Sequence, residues 1–99
     1  MAESSEATPE SPPRILMLGR DTCEDTIQSR TFLTRQRIPF QYLSWEQDAD
    51  TEEAIRSLND GEIVTPTIVI GDPEHPTAVL VEPTDEELDR AIVEAGGGL

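Results

Sequence analysis

Cysteine occurs once in this chain, as Cys23, and lysine does not occur at all. A single thiol cannot close an internal disulfide, and a reducing cytoplasm is the compartment that fits best. No stretch approaches the ~20 apolar residues of a membrane span. The opening Met-Ala-Glu-Ser-Ser-Glu has neither a basic nor an apolar region, so no signal peptide is expected. The seven basic residues are all arginine and stand against 21 acidic ones, for a net charge of −14. Such a surface repels nucleic acid and anionic membranes, and neither is expected as a partner. The only histidine, His75, lies among turn residues without a ligand companion, so it is read as solvated surface and no metal site is expected. Internal repeats are also missing.

What is present fits one domain of 99 residues with an adequate interior. Residues 1–13 are polar, acidic and proline-rich, and bury too little apolar surface to offset ordering, so a disordered tail is expected ahead of a domain over 14–99. The run Ile15-Leu16-Met17-Leu18 reads as a central strand covered on both faces. A helix from about 23 to 36 places Thr26, Ser29, Phe32, Leu33 and Gln36 on one face and Ile27 on the other. Ile38-Pro39 stops it, and Phe40–Trp45 alternates like a half-buried strand. Asp50 caps a short helix with Ala54, Ile55 and Leu58 on its apolar face, ended by Asn59-Asp60-Gly61. Thr67–Ile70 and Ala78–Val81 are two further strands, joined by Gly71–Pro76 as a hairpin. Thr84 and Glu87 form a capping box that opens a last helix, and Gly96-Gly97-Gly98 ends it with frayed residues to follow. The order is β-α-β-α-β-β-α. The opening unit implies a right-handed parallel crossover and the closing hairpin makes the sheet mixed, so the fold class is α/β, with helices on both faces of four strands.

The stretch with most chemistry is Gly19-Arg-Asp-Thr-Cys-Glu-Asp-Thr26, where the first strand gives way to the first helix. Thr22 and Asp25 have capping-box spacing, which would start the helix on Cys23. A thiol there faces unpaired N–H groups and the positive end of a helix dipole, and both favour the reactive thiolate. A lone cysteine also fits a small buried hydrophobe, and the local pattern does not separate the two.

Taken in order, these segments resemble the glutaredoxin branch of the thioredoxin-like fold over residues 14–95. Arg20-Asp-Thr-Cys23-Glu-Asp-Thr26 is similar to the family's active-site turn in its Cys-x-x-Cys/Ser register. Val64-Thr65-Pro66-Thr67-Ile-Val-Ile-Gly71 resembles the segment that presents a cis-proline opposite that cysteine. Glu82-Pro83-Thr84-Asp85-Glu86-Glu87-Leu88 is similar to the polar turn opening the family's last helix, and the ending is particularly similar to mycoredoxins, which use mycothiol in place of glutathione. The resemblance implies a thioredoxin-like four-stranded mixed sheet and a thiol-disulfide oxidoreductase. Cys23 would attack a mixed disulfide between a target protein and a small thiol, with Arg20 supplying positive charge beside it. Thr65, held by Pro66, would offer its backbone to the bound peptide. Thr84 and Asp85 would hold the carboxylate and amine end of the small thiol. The partners implied are a low-molecular-weight thiol, glutathione or mycothiol, as cosubstrate, and thiolated proteins; no tightly bound cofactor is expected, and the chain is expected to be a monomer.

The sequence departs from the family at three places. Thr26 stands where the second cysteine falls, which makes this a monothiol form; its hydroxyl, one turn on, can still donate to the thiolate. Glu24 and Asp25 replace the usual proline or glycine and aromatic residue, and two carboxylates beside a nascent anion disfavour it. Leu18 stands where many members carry tyrosine. Two other functions are therefore weighed beside the enzyme. One is a catalytically silent thioredoxin-like interaction module, motivated by the carboxylates. The other is a dimeric iron–sulfur cluster carrier, a role whose family members have Gly-Phe-Ser after the cysteine where this chain has Glu-Asp-Thr.

Overall fold

The apolar runs read from the sequence become strands in the computed structural model, which describes residues 13–96. The elements are β1 (Ile15–Gly19), α1 (Glu24–Arg35), β2 (Gln41–Ser44), α2 (Ala49–Leu58), β3 (Thr67–Asp72), β4 (His75–Val81) and α3 (Asp85–Ala95). The tail expected over 1–13 falls, but for Pro13, outside the described residues, as does the fraying expected at 97–99.

The sheet runs β2-β1-β3-β4. β1 pairs in parallel with β2, from Leu16 opposite Gln41 to Gly19 opposite Ser44. It pairs antiparallel with β3 on its other side, and β3 and β4 form an antiparallel hairpin. Alternation sends Ile15 and Met17 to one face, level with Ile70 and Ile68, where Leu33 of α1 and Leu88 and Ile92 of α3 complete the core. Leu18 and Val69 face the other way and are also buried, together with Ile55 and Thr51 of α2. β1 is thus covered on both sides, which is why its sequence is unbroken by polar residues. Each fully buried Leu or Ile contributes about 1.5–3 kcal/mol by leaving water.

Four local expectations need correction. The Thr22–Asp25 capping box does not form: Cys23 itself is the N-cap of α1, with extended backbone, and its carbonyl accepts the N–H of Ile27 at 2.9 Å. The chain first closes a turn, Cys23 N–H to Arg20 C=O at 3.0 Å, and that turn sets the start of the helix. Gln36 is the exposed C-cap of α1 and lies beyond its buried face of Thr26, Ser29 and Leu33. Asp48, two residues before the expected Asp50, caps α2 and accepts from Asp50 N–H at 2.9 Å. That register buries Thr51 and Ile55, one turn apart, on the face toward the sheet. The hairpin is tighter than Gly71–Pro76, since Gly71-Asp72 and His75-Pro76 join the strands and the turn falls at Pro73-Glu74. Gly71 adopts φ 98°, and a Cβ there would stand 2.7 Å from Thr77 Oγ1, so glycine is what lets the strand bulge at this point.

The Thr84–Glu87 capping box forms in both directions, at 3.1 Å and 2.9 Å, and starts α3. No helix among the described residues is long and apolar enough to cross a membrane.

Candidate active site

Gly19 ends β1 where α1 must pass close by. A Cβ on Gly19 would lie 2.6 Å from Thr26 Cγ2 and 3.1 Å from Tyr42, so its absence lets the first turn of α1 pack against the strand. Thr26 is fully buried there, and its hydroxyl accepts the Arg20 N–H at 3.4 Å. Because the hydroxyl accepts in that bond, its proton is free to point at Cys23, one turn earlier.

Cys23 is half-buried, and its thiol lies 3.6 Å from the carbonyl oxygen of Thr65, to which it can donate. Thr65 precedes the buried Pro66, and the bond between them is cis. Burial pushes the thiol up. The Thr65 hydroxyl, the amide and hydroxyl of Thr26 and the amide of Asp25 oppose it, and together they hold the thiol below its ordinary value. No close side-chain bond caps the helix in the protonated state, whereas the anion draws on the first-turn amides of α1. An N-cap sulfur faces those orphan donors as a serine hydroxyl would. Asp25 therefore acts on the sulfur through its N–H, in favour of the thiolate.

The other expected site residues are placed differently. The Arg20 side chain pairs with Glu46, Nε to Oε2 at 3.1 Å. The segment opening α3 sits beside the proline: Glu82, at φ 50°, donates its N–H to the Pro66 carbonyl at 3.0 Å. Asp85 is tied to α1 through Gln28 Nε2 at 3.3 Å. Thr84 lies within the same segment, but its N–H and hydroxyl are both used by Glu87. Cys23, Thr26, Thr65 and Pro66 thus form the centre, with Thr84 and Asp85 on the adjoining segment.

Two groups of residues escaped sequence reasoning. Asp21, next to the cysteine turn, accepts from Tyr42 Oη at 2.7 Å and Gln47 Nε2 at 3.0 Å, with Arg30 Nη1 at 4.0 Å. The Arg30 guanidinium also stacks 4.0 Å from the Tyr42 ring centre. Burial and the Asp21 carboxylate push the Tyr42 phenol up to about 12. This cluster moors the turn to β2 and α1. Behind Thr65, Asn59 donates to Thr67 Oγ1 at 3.1 Å, and Thr67 donates to the Val64 carbonyl at 2.8 Å. Neither group has a sequence motif, since each joins residues from separate elements; the asparagine ending α2 is the one available hint.

A parallel β-α-β unit, an antiparallel hairpin and a helix-start cysteine facing a proline loop define a thioredoxin-like fold. Comparison with solved structures agrees. A glutaredoxin from Archaeoglobus fulgidus superposes with a TM-score of 0.65 at 20% identity, covering 89% of this chain and 95% of its own. A candidate oxidoreductase with a thioredoxin fold superposes with a TM-score of 0.61 at 15% identity, covering 87% of this chain and 82% of its own. No protein-family model and no curated protein matches the chain.

Proposed function

We propose that this chain is a monothiol thiol-disulfide oxidoreductase that reduces mixed disulfides between proteins and a low-molecular-weight thiol. The observation that carries this reading is the Cys23 sulfur at the start of α1, 3.6 Å from Thr65 O, with its thiolate favoured by surrounding donors. In the first step the Cys23 thiolate attacks the small-thiol sulfur of a protein–S–S–R disulfide. The protein sulfur leaves as a thiolate and takes a proton from solvent, and Cys23–S–S–R remains. A second small thiol, as R–S⁻, attacks the R sulfur of that adduct. It releases R–S–S–R and returns the Cys23 thiolate, so one free small thiol is consumed per turnover and the other R group of the product is the one removed from the protein. Thr26 cannot intercept the adduct as a second cysteine would, which assigns the resolving role to the small thiol, glutathione or mycothiol.

A silent module requires Glu24 and Asp25 to suppress the thiolate. The lowered thiol favours the enzyme instead. The test is reduction of a peptide–glutathione and a peptide–mycothiol mixed disulfide by wild type and by Cys23→Ser. Turnover with at least one of them, abolished in a folded Cys23→Ser variant, is expected; no turnover with either, or turnover retained in the variant, would overturn the assignment.

A further inference from the structure

We propose that Asn59 and Thr67 are positioning residues for the site: a hydrogen-bond relay running from the end of α2 through them holds the Val64–Thr65 segment against Cys23. The relay has a fixed direction. Asn59 Nδ2 donates to the Ile55 carbonyl at 2.8 Å, a partner that can only accept, so the amide nitrogen must face this way. The same nitrogen donates to Thr67 Oγ1 at 3.1 Å. Thr67 is fully buried, out of reach of solvent as an alternative partner, and its single hydroxyl proton goes to the Val64 carbonyl at 2.8 Å.

The consequence falls on Thr65. Fixing the Val64 carbonyl fixes the plane of the Val64–Thr65 peptide. On the far side, Glu82 N–H holds the Pro66 carbonyl at 3.0 Å. Thr65 is therefore clamped from both sides, between the relay and the Glu82 bond, with its own carbonyl at the thiol. Thr67 is the first residue of β3, paired with Leu18, so the strand ladder anchors the relay but does not itself extend back to Thr65. The hydroxyl of Thr65 is also among the groups that favour the Cys23 anion. A loosened Val64–Thr65 peptide would misplace that hydroxyl without removing it.

This inference rests on Cys23 being the reacting group, and its test needs no turnover, so it can fail independently of the proposed function. Thiolate absorbance is titrated in the full chain for wild type, Thr67→Val, Thr67→Ser, Asn59→Ala, Thr65→Val and the Thr65→Val/Thr67→Val pair. The charged groups of the surrounding segments, Arg20, Asp21, Glu24, Asp25, Glu82 and Asp85, are the same in every variant. Thr67→Val is expected to raise the Cys23 pKa by about half a unit to one unit, roughly 3- to 10-fold less thiolate below the pKa. Thr67→Ser, which keeps the hydroxyl, is expected to titrate like wild type. The double variant is expected to titrate like Thr65→Val alone. Should Thr67→Val not fold, Asn59→Ala gives the reading, with a smaller rise in the same direction. An unchanged pKa in Thr67→Val or, in that case, in Asn59→Ala would overturn the proposal. So would an equal rise in Thr67→Ser, or additive effects in the pair.

Discussion

Asp25 shows how one residue can act on a thiol in two opposed ways. Its carboxylate, read from the sequence, opposes the thiolate, whereas its backbone N–H in the first turn of α1 supports it. Without the capping box, nothing returns the side chain toward the sulfur, and an exposed carboxylate is screened by solvent. Asp25→Asn is therefore expected to leave the Cys23 pKa within about 0.3 units of wild type, a small part of what one close charge can do. Thr26→Val removes a donor to the sulfur and is expected to raise that pKa; thiolate absorbance titration checks both. The direction of the thiol shift also fixes a stability dependence. In the unfolded chain the thiol keeps its ordinary value, so the lowered folded value adds stability as pH climbs from the folded value to the unfolded one. That stability is complete above the unfolded value and is lost as pH falls back through the folded one. Urea denaturation across this window is expected to show wild type gaining on Cys23→Ser as pH rises; parallel curves would mean that the thiolate is not stabilised by folding.

At the scale of elements, the close passage of α1 over the end of β1 is what puts donors beside the sulfur. Gly19→Ala forces a Cβ to 2.6 Å from Thr26 Cγ2, so strand and helix must separate. Overpacking of this kind costs about 1–3 kcal/mol, and here it should also raise the thiol pKa because the hydroxyl and amide of Thr26 withdraw together. Thermal denaturation and thiol titration of the same variant check the two effects; a lower Tm with an unchanged pKa would detach the packing from the chemistry. The strands were legible because apolar runs such as Ile15–Leu18 and Thr67–Ile70 admit few readings. The starts of α1 and α2 were not, because Asp-Thr-Cys and Asp-Ala-Asp each offer more than one capping residue. Burial of Thr26 and of Thr51 accompanies the registers that form, and burial is a tertiary property. Cys23 and the proline loop could be read through family resemblance and turn position. The direction of Arg20 could not, since Glu46 lies 26 residues away and reaches it only after β2 pairs with β1. The Asn59–Thr67 relay is hidden for a related reason: in sequence α2 signals only its apolar face, and the Asn59 that caps its end signals only a stop.

At the scale of the whole molecule, a net charge of −14 surrounds a site that must bind and form anions. The ion pairs among the described residues, Arg20–Glu46, Arg30–Asp21 and Arg56–Glu52, have more than a third of each side chain exposed, and such pairs contribute little. Salt therefore removes more repulsion than attraction, and the Tm is expected to rise with added sodium chloride. The same field bears on reactivity. At an ionic strength of about 0.01 M the screening length is roughly 30 Å, so carboxylates across the domain reach Cys23; at about 0.1 M it is roughly 10 Å and only near groups count. An anionic reagent should feel this difference and a neutral one should not. Alkylation of Cys23 by iodoacetate, divided by its alkylation by iodoacetamide under the same conditions, cancels any change in the thiolate fraction. That ratio is expected to climb with ionic strength and then level off once only local groups remain. A ratio independent of salt would show that the donors at the start of α1 shield the sulfur from the acidic surface, and the approach of an anionic small thiol would then be governed by the local site alone.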